Sequence, residues 1–252
     1  MIESIKGIII KEKSYSETSK IIDVITKEHG IISILAKGAK TLKSPLRSSS
    51  TKLTYGNFNI VYKEGKLSTL KEIDVINYYK NIKKDIIKIS YASYILELVE
   101  QVIKQTNNED VYDNLIASLE KIEAGLNPQI ITNILELKCL KYLGVMPIID
   151  RCAICGNESI ITISSDAGGY LCRNCRKEET IVDEKTIKLI RMFYYVDIGK
   201  IDKIEISNKV CEEINFFLDN YYDRYTGLYL KSKKMIEKLS KAGELWNNIN
   251  FY

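Results

Sequence analysis

The chain has 252 residues, 45% of them hydrophobic and 28% charged, and a formal net charge of +4. That balance excludes an intrinsically disordered chain, and the apolar runs are too short and too often broken by charge to span a membrane as a helix. So small an excess of cations does not by itself mark a nucleic-acid binder, and the position of the charge matters more than its sum.

Residues 1–80 read as β structure. Apolar segments of strand length, rich in β-branched residues, fall at 5–10, 21–26, 31–36, 58–62 and 67–76. The breaks carry turn chemistry: His29 and Gly30, Lys37 and Gly38, Tyr55 to Asn57 around Gly56, and Glu64 to Lys66 around Gly65. Five short strands with a longer connection between the third and fourth fit a small barrel. The oligonucleotide-binding (OB) barrel is the commonest such answer. Beyond residue 80 the period changes to that of helices. Ile87, Tyr91, Tyr94, Ile95, Leu98 and Val102 form one stripe, and Tyr112, Leu115, Leu119 and Ile122 another. A third helix has Asn127 to cap it, Pro128 in its first position, a stripe of Ile130, Ile134, Leu137 and Leu140, and a stop at Gly144 before Pro147. After residues 150–178, which have no helical period, helices are expected to open near Asp183 and Ser207. The second of these buries Val210, Ile214, Phe217, Leu218 and Tyr221. A last helix starts near Ser232 with Met235, Ile236 and Leu239, and the tail 247–252 is expected to fray. The fold class is therefore α+β. An OB-type domain spans 1–80, a helical domain 81–149 and 179–246, and an inserted cysteine element 150–178.

The start of the chain, MIESIKGIII, has no apolar run ending in a small-residue cleavage site, so a cytoplasmic location is expected. In a reducing compartment paired cysteines point to metal rather than to disulfides. Cys152 and Cys155 are followed, after sixteen residues, by Cys172 and Cys175. Each Cys-x-x-Cys pair makes a tight knuckle whose thiolates aim at one ion. Gly156 relieves the backbone after the first, and a hairpin turning at Asp166 to Gly169 returns the second. Four thiolates at about 2.3 Å close a tetrahedron around one structural zinc and leave no open position for water or substrate. Two redox pairs, or thiols without metal, are the plainer reading. Cys139 and Cys211 fall inside helical patterns and read as small buried hydrophobes. No catalytic centre is expected. The only histidine, His29, precedes a turn glycine, the His-x-Glu and Pro-Cys-x-x-Cys signatures of zinc deaminases are absent, and no phosphate loop or Gly-x-Ser-x-Gly occurs.

Between Lys37 and Lys52 the chain carries Lys37, Lys40, Lys43, Arg47 and Lys52, no acid, and interleaved serines and threonines. Cations among small hydroxyls suit phosphate contact, and an exposed aromatic among nearby Tyr55, Phe58 and Tyr62 could stack on a base. A solvated loop over core aromatics is the competing reading, and the alternation of Phe58 and Tyr62 favours it for those two.

These segments together resemble a family. The strand before Tyr15, Ser16 and Glu17, then Thr26 to Gly30, then Ala36 to Lys40 with Lys43 and Ser44, is similar to the amino-terminal domain of RecO, the bacterial recombination mediator family. Gly227 to Ser232 resembles the family's carboxy-terminal helical segment, and the order of barrel, helices, four-cysteine element and further helices also fits. All four cysteines, which vary in the family, are present, and lysine mostly stands where the family often uses arginine. The resemblance implies binding of single- and double-stranded DNA and annealing of complementary strands. It also implies partnership with RecR and with single-stranded DNA-binding protein (SSB), so that RecA can load, in a nucleoid-associated setting. The family docks the acidic, apolar-tipped tail of SSB on its helical domain. Here Arg224, Leu228, Leu230, Lys231, Lys233 and Lys234 offer suitable residue types, unless they merely pack and solvate the bundle. A zinc-ribbon adaptor that binds only protein is the rival reading, separable by salt-sensitive DNA binding. A metal-dependent nuclease is a third, separable by cleavage with magnesium.

Overall fold

The structure, a computed structural model, describes residues 2–106, 108–236 and 238–239. The tail expected to fray, 247–252, lies outside them. The chain divides into two compact units, Met1–Ile86 with Leu96–Ile116, and Ile87–Ile95 with Ala117–Tyr252.

In the first unit five strands, β1 (Ile2–Ser14), β2 (Lys20–Thr26), β3 (Gly30–Ala36), β4 (Tyr55–Val61) and β5 (Ser68–Asn77), form a closed barrel in the order β1-β2-β3-β5-β4. Every pairing is antiparallel except the short parallel contact of β3 with β5, at Ile34 with Ser68 and Leu35 with Thr69. β1 serves both neighbours, pairing with β4 over residues 2–8 and with β2 over residues 7–14, with an irregularity between Ile9 and Lys11. Side chains of alternating inward positions fill the interior, among them Ile5, Ile9, Ile22, Val24, Ile34, Phe58, Ile60, Leu70 and Ile73. β1 outruns the expected 5–10 because its distal half, with Lys11, Glu12 and Lys13, is charged and exposed while still paired with β2. Gly56, expected in a turn, instead lies inside β4, opposite Gly7 of β1. It is needed there because a Cβ on Gly56 would stand 2.5 Å from the Asp74 carbonyl oxygen of β5. The β4–β5 turn at Gly65 is open, with nothing within 4 Å of a would-be Cβ.

Two short helices escaped the sequence reading: α1 (Leu46–Ser49) in the basic connection and α2 (Lys80–Lys84) after the barrel. Both fall below the length at which a helical period shows. Helix α3 (Ile86–Ile103) buries Tyr94, Ile95, Leu98 and Val102 as expected, with Tyr91 half-buried. Ile87 does not join them. It lies in the first turn, where Ile86 is exposed too, and is 53% exposed, since the continuous buried face begins only near Ser90. Helix α4 (Glu109–Glu123) buries Tyr112, Leu115, Leu119 and Ile122. Within the first unit the Glu100 carboxylate accepts from both Lys11, at 2.5 Å, and Lys104, at 2.7 Å, and Lys27 pairs with Asp113 at 2.8 Å.

The second unit is organised on α5 (Pro128–Tyr142). Its start follows the expected chemistry, with the Asn127 side chain accepting from the N–H groups of Gln129 and Ile130 and Pro128 supplying a preset φ. Its end is a left-handed glycine, Gly144 at φ +73°, with the Gly144 N–H on the Lys141 carbonyl and the Val145 N–H on that of Leu140. Burial is not confined to one stripe: Ile131, Thr132, Asn133, Leu135, Glu136 and Cys139 are buried along with the expected apolar residues. Each fully buried Leu or Ile stabilises by roughly 1.5–3 kcal/mol, so this helix supplies much of the unit's cohesion. Helices α6 (Glu184–Tyr195), capped by Asp183, and α7 (Asn208–Tyr225), opening after Ser207, pack on it. All five residues expected to be buried on α7 are so.

The all-round burial of α5 carries Glu136 into the core. The Tyr94 hydroxyl donates to its carboxylate, and the Tyr222 hydroxyl donates to its backbone carbonyl at 2.9 Å. Burial pushes Glu136 up to about 7 from the usual 4.5, opposed by the Tyr94 bond and helped by nearby Asp219. The folded state therefore keeps this proton between about pH 4.5 and 7, where the unfolded chain has lost it, and stability falls as pH rises through that window.

Two outcomes are expected. Gly56→Ala should destabilise the barrel by about 2 kcal/mol, read as a lower urea midpoint, because the backbone of β5 must move aside. Glu136→Gln should remove most of the decline in stability between pH 5 and 7, a term on the order of 3 kcal/mol. Urea titrations across that range, compared with the parent chain, measure it, and an unchanged decline would locate the titrating group elsewhere.

Candidate functional site

Residues 148–182 build the cysteine element in the second unit. Strands β6 (Ile160–Ser164) and β7 (Gly169–Cys172) form an antiparallel hairpin. Ile148 adds a single parallel bridge beside Gly169, with the Ile148 N–H on the Gly168 carbonyl and the Tyr170 N–H on that of Ile148. Gly169 is required by that approach, since a Cβ there would stand 2.2 Å from the Ile148 oxygen. The Tyr170 hydroxyl donates to the Ile187 carbonyl of α6, which ties the hairpin to the helices.

The two knuckles are built alike. The Gly156 N–H bonds the Cys152 carbonyl at 2.9 Å, with Gly156 at φ +76°, and the Arg176 N–H bonds that of Cys172 at 3.0 Å. They bring the Sγ atoms of Cys152, Cys155, Cys172 and Cys175 within 4.8 Å of one another, with Cys155 and Cys172 at 3.6 Å. A tetrahedral ion with bonds of about 2.3 Å needs sulfur–sulfur separations near 3.8 Å, so the four could hold a metal ion. Burial works against the Cys152 thiolate, but the backbone N–H groups of Cys155, Cys172 and Ile154 outweigh it and bring the thiol down to about 6. Hydrogen bonding to Cys155 pushes Cys175 the other way, to about 12. Among the described residues no other group of three or more His, Cys, Asp or Glu side chains is so placed. Cys139 and Cys211 are buried within α5 and α7, and burial pushes both thiols up.

The basic connection lies on one rim of the barrel. Ala39 and Leu46 are its anchors: Ala39 is part of the barrel core and Leu46 packs against it. The residues between and around them face out, so that Lys37, Lys40, Lys43 and Arg47 are all exposed. Lys52 differs. It is half-buried, and burial lowers its pKa against the pull of Glu97 and Glu100. The nearby aromatics present no open face. Tyr55 and Phe58 are buried, and Tyr62 stacks on His29 at 4.4 Å. His29 is held in its turn by an N–H bond to the Thr26 hydroxyl, and its Nε2 lies 3.3 Å from Glu3. The β1–β2 turn also reaches this rim. The Lys40 N–H bonds the Thr18 carbonyl at 2.9 Å, Lys40 Nζ bonds that of Ser16 at 2.9 Å, and the Gly38 N–H bonds the Ser19 hydroxyl at 3.3 Å. No local sequence signal marks this, because the junction spans about twenty residues.

Of the candidate carboxy-terminal residues, Leu228 and Leu230 are half-buried and Lys231 and Lys234 are exposed. Arg224 pairs with Asp166 at the hairpin turn. Lys233 is half-buried; burial works against its ammonium, but Asp219 at 2.9 Å outweighs this and holds its pKa above the usual value. Lys234 lies over the Tyr229 ring, 5.8 Å from its centroid.

Residues 1–79 match the family model Recombination protein O N terminal, and residues 83–234 match Recombination protein O C terminal. The DNA repair protein RecO of Bacillus cytotoxicus is 35% identical over 246 residues, 96% of this chain and 99% of that relative. Its counterpart in Listeria monocytogenes is 34% identical over 98% of this chain and 97% of its own length.

The cysteine geometry carries its own test. The full chain, purified without chelator, should contain one metal ion by elemental analysis. Cys172→Ser should lose it and speed hydrogen exchange across residues 150–178, since three thiolates and a hydroxyl hold an ion less well. Metal-free parent protein with an unchanged exchange pattern would mean that the hairpin needs no ion.

Proposed function

The chain belongs to the RecO family of DNA repair proteins, and from that premise we propose that it is a non-catalytic, cytoplasmic recombination mediator. In this reading it binds single- and double-stranded DNA and anneals complementary strands. With RecR it helps RecA to load on DNA coated by SSB. The observation that carries the reading is the basic rim. A closed five-stranded barrel in the order β1-β2-β3-β5-β4, with its one parallel contact between β3 and β5, supports the reading of this domain as an OB barrel. The connection after β3 is pinned by Ala39 and Leu46, so its cations stand out in a fixed array rather than on a loose loop. Lys37, Lys40, Lys43 and Arg47 are the proposed phosphate contacts, and Lys52, half-buried and within the influence of Glu97 and Glu100, is the weaker candidate. Among the described residues none of Lys37, Lys43 and Arg47 pairs with an acid, which leaves them available to phosphate.

The proposed metal is zinc, held by Cys152, Cys155, Cys172 and Cys175. Four thiolates are its usual structural ligand set, and a closed set supports folding rather than chemistry. The ion would hold the four sulfurs as thiolates and would fix the two knuckles on the hairpin. Helical and zinc elements are proposed to divide as 81–149 with 179–246, and 150–178. For the SSB tail the proposed contacts are exposed Lys231 and Lys234 beside half-buried Leu228 and Leu230, together with Arg224 and Lys233. Arg224 and Lys233 are engaged by Asp166 and Asp219, so an incoming acidic tail would have to displace an internal carboxylate.

Replacing Lys37, Lys40, Lys43 and Arg47 together by alanine should weaken DNA binding of every sequence. It should also flatten the salt dependence by about 0.9 in log–log slope for each duplex phosphate no longer neutralised, and by about 0.7 on single strands. Fluorescence anisotropy over a salt series measures both. An unchanged affinity and slope would move the DNA-binding surface elsewhere, with Arg173, Arg176 and Lys177 of the cysteine element as the next candidates.

A further inference from the structure

The aromatics nearest the lysines in sequence are spent on the barrel core, yet the rim is not without one. Tyr15, at the start of the β1–β2 turn, is 60% exposed, and Leu42, in the basic connection, is 82% exposed. These are large apolar groups in water, on two turns that the Lys40 and Gly38 hydrogen bonds fasten together. Tyr15 is itself fixed within its turn, its N–H bonded to the Ser19 carbonyl at 3.1 Å, and Ser16 is bonded to the same oxygen at 3.2 Å. Exposed cations lie on the same two segments: Lys13 just before Tyr15, and Lys37, Lys40 and Lys43 in the basic connection. Glu17 is the one acid in residues 13–20 and 37–52.

We infer that Tyr15 is a base-stacking residue, which gives this rim a preference for single-stranded over duplex DNA. The inference rests on the proposed DNA-binding function and adds to it a residue and a strand preference. Phosphates alone would be served by lysines and hydroxyls. An aromatic ring held out in solvent on a hydrogen-bonded turn between them matches the other half of a single strand, the unpaired base, whose π-face is accessible only when it is not stacked in a duplex. Its anchoring matters, because a ring held in place loses less freedom on binding than one on a mobile loop. Leu42 supplies exposed apolar surface on the adjoining connection, against which a second base can pack. A protein partner that buried Tyr15 and Leu42 would use the same exposed groups. The lysines on the same segments favour the polyanion.

The test compares the full chain with Tyr15→Ala and Tyr15→Phe, using three probes of equal length: an oligo(dT) strand, a strand of abasic residues, and a duplex. Tyr15→Ala should bind oligo(dT) roughly ten-fold more weakly, as removal of one aromatic stack predicts. Tyr15→Phe should bind it like the parent. On abasic strand and duplex all three proteins should be equal, and thermal melting should be unchanged because the ring is exposed. Equal weakening on abasic strand and oligo(dT) would overturn stacking and leave only a backbone interaction. Full binding of every probe by Tyr15→Ala, while replacement of the four rim cations abolishes it, would remove Tyr15 from the interface and leave the DNA-binding reading intact, with a protein partner as the remaining occupant. No binding of any probe by the parent chain would overturn the inference together with the reading beneath it.

Discussion

Two glycines that face each other across the β1–β4 seam set the shape of the barrel. Gly7 is paired with Gly56 on one side and with Thr26 on the other. A Cβ on Gly7 would lie 2.6 Å from Val24 Cγ1 and 2.8 Å from the Ile25 oxygen, and one on Gly56 would meet Asp74 just as closely. Five strands close only if each coils sharply, and sharp coiling brings backbone onto backbone where side chains would ordinarily keep strands apart. The seam concedes that space with hydrogen atoms. Because β1 can then serve both β2 and β4, the turn that follows it arrives beside the connection that follows β3. The composition of the rim therefore depends on residues that never touch solvent.

The cations fall into two groups that a net charge of +4 conceals. Lys11, Lys20, Lys27 and Lys104 are paired with Glu12, Glu100 and Asp113 within the first unit, and their charge is cancelled locally. Lys37, Lys43 and Arg47 are not cancelled in this way, and they lie together on one connection. Paired surface ions contribute little to stability, typically under about 1 kcal/mol each, but they fix which positive charges remain visible to a distant polyanion.

Much of this was legible in the sequence where physics acts locally. The change of period near residue 80, the Asn127 cap with Pro128, the stop at Gly144 and the spacing of the four cysteines each depend on residues a few positions apart. Legibility failed where the deciding neighbour was far along the chain. Gly56 read as a turn because its reason for being glycine, the Asp74 oxygen, is on another strand. α5 read as a one-sided helix, and Glu136 passed unnoticed, because the tyrosines that hold it come from positions 94 and 222. Ile87 fitted a helical stripe that had not yet turned inward, and Lys52 looked like its neighbours until Glu97 and Glu100 were placed near it. The rim aromatic was sought next to the lysines, among Tyr55, Phe58 and Tyr62, whereas the exposed ring comes from the other side of two strands.

The cysteine hairpin, although an insertion among helices, is not a pendant piece. Its turn is tied through Asp166 to Arg224, its flank through Ile148 to Gly169, and its face through Tyr170 to Ile187. A bulky reporter at Asp166, Gly169 or Tyr170 would have to break one of these ties. The β4–β5 turn is the opposite case: Lys63, Glu64, Gly65 and Lys66 are exposed, and space is open around Gly65. A dye or epitope belongs at that turn, where the chain can be lengthened without asking any other part of the fold to yield.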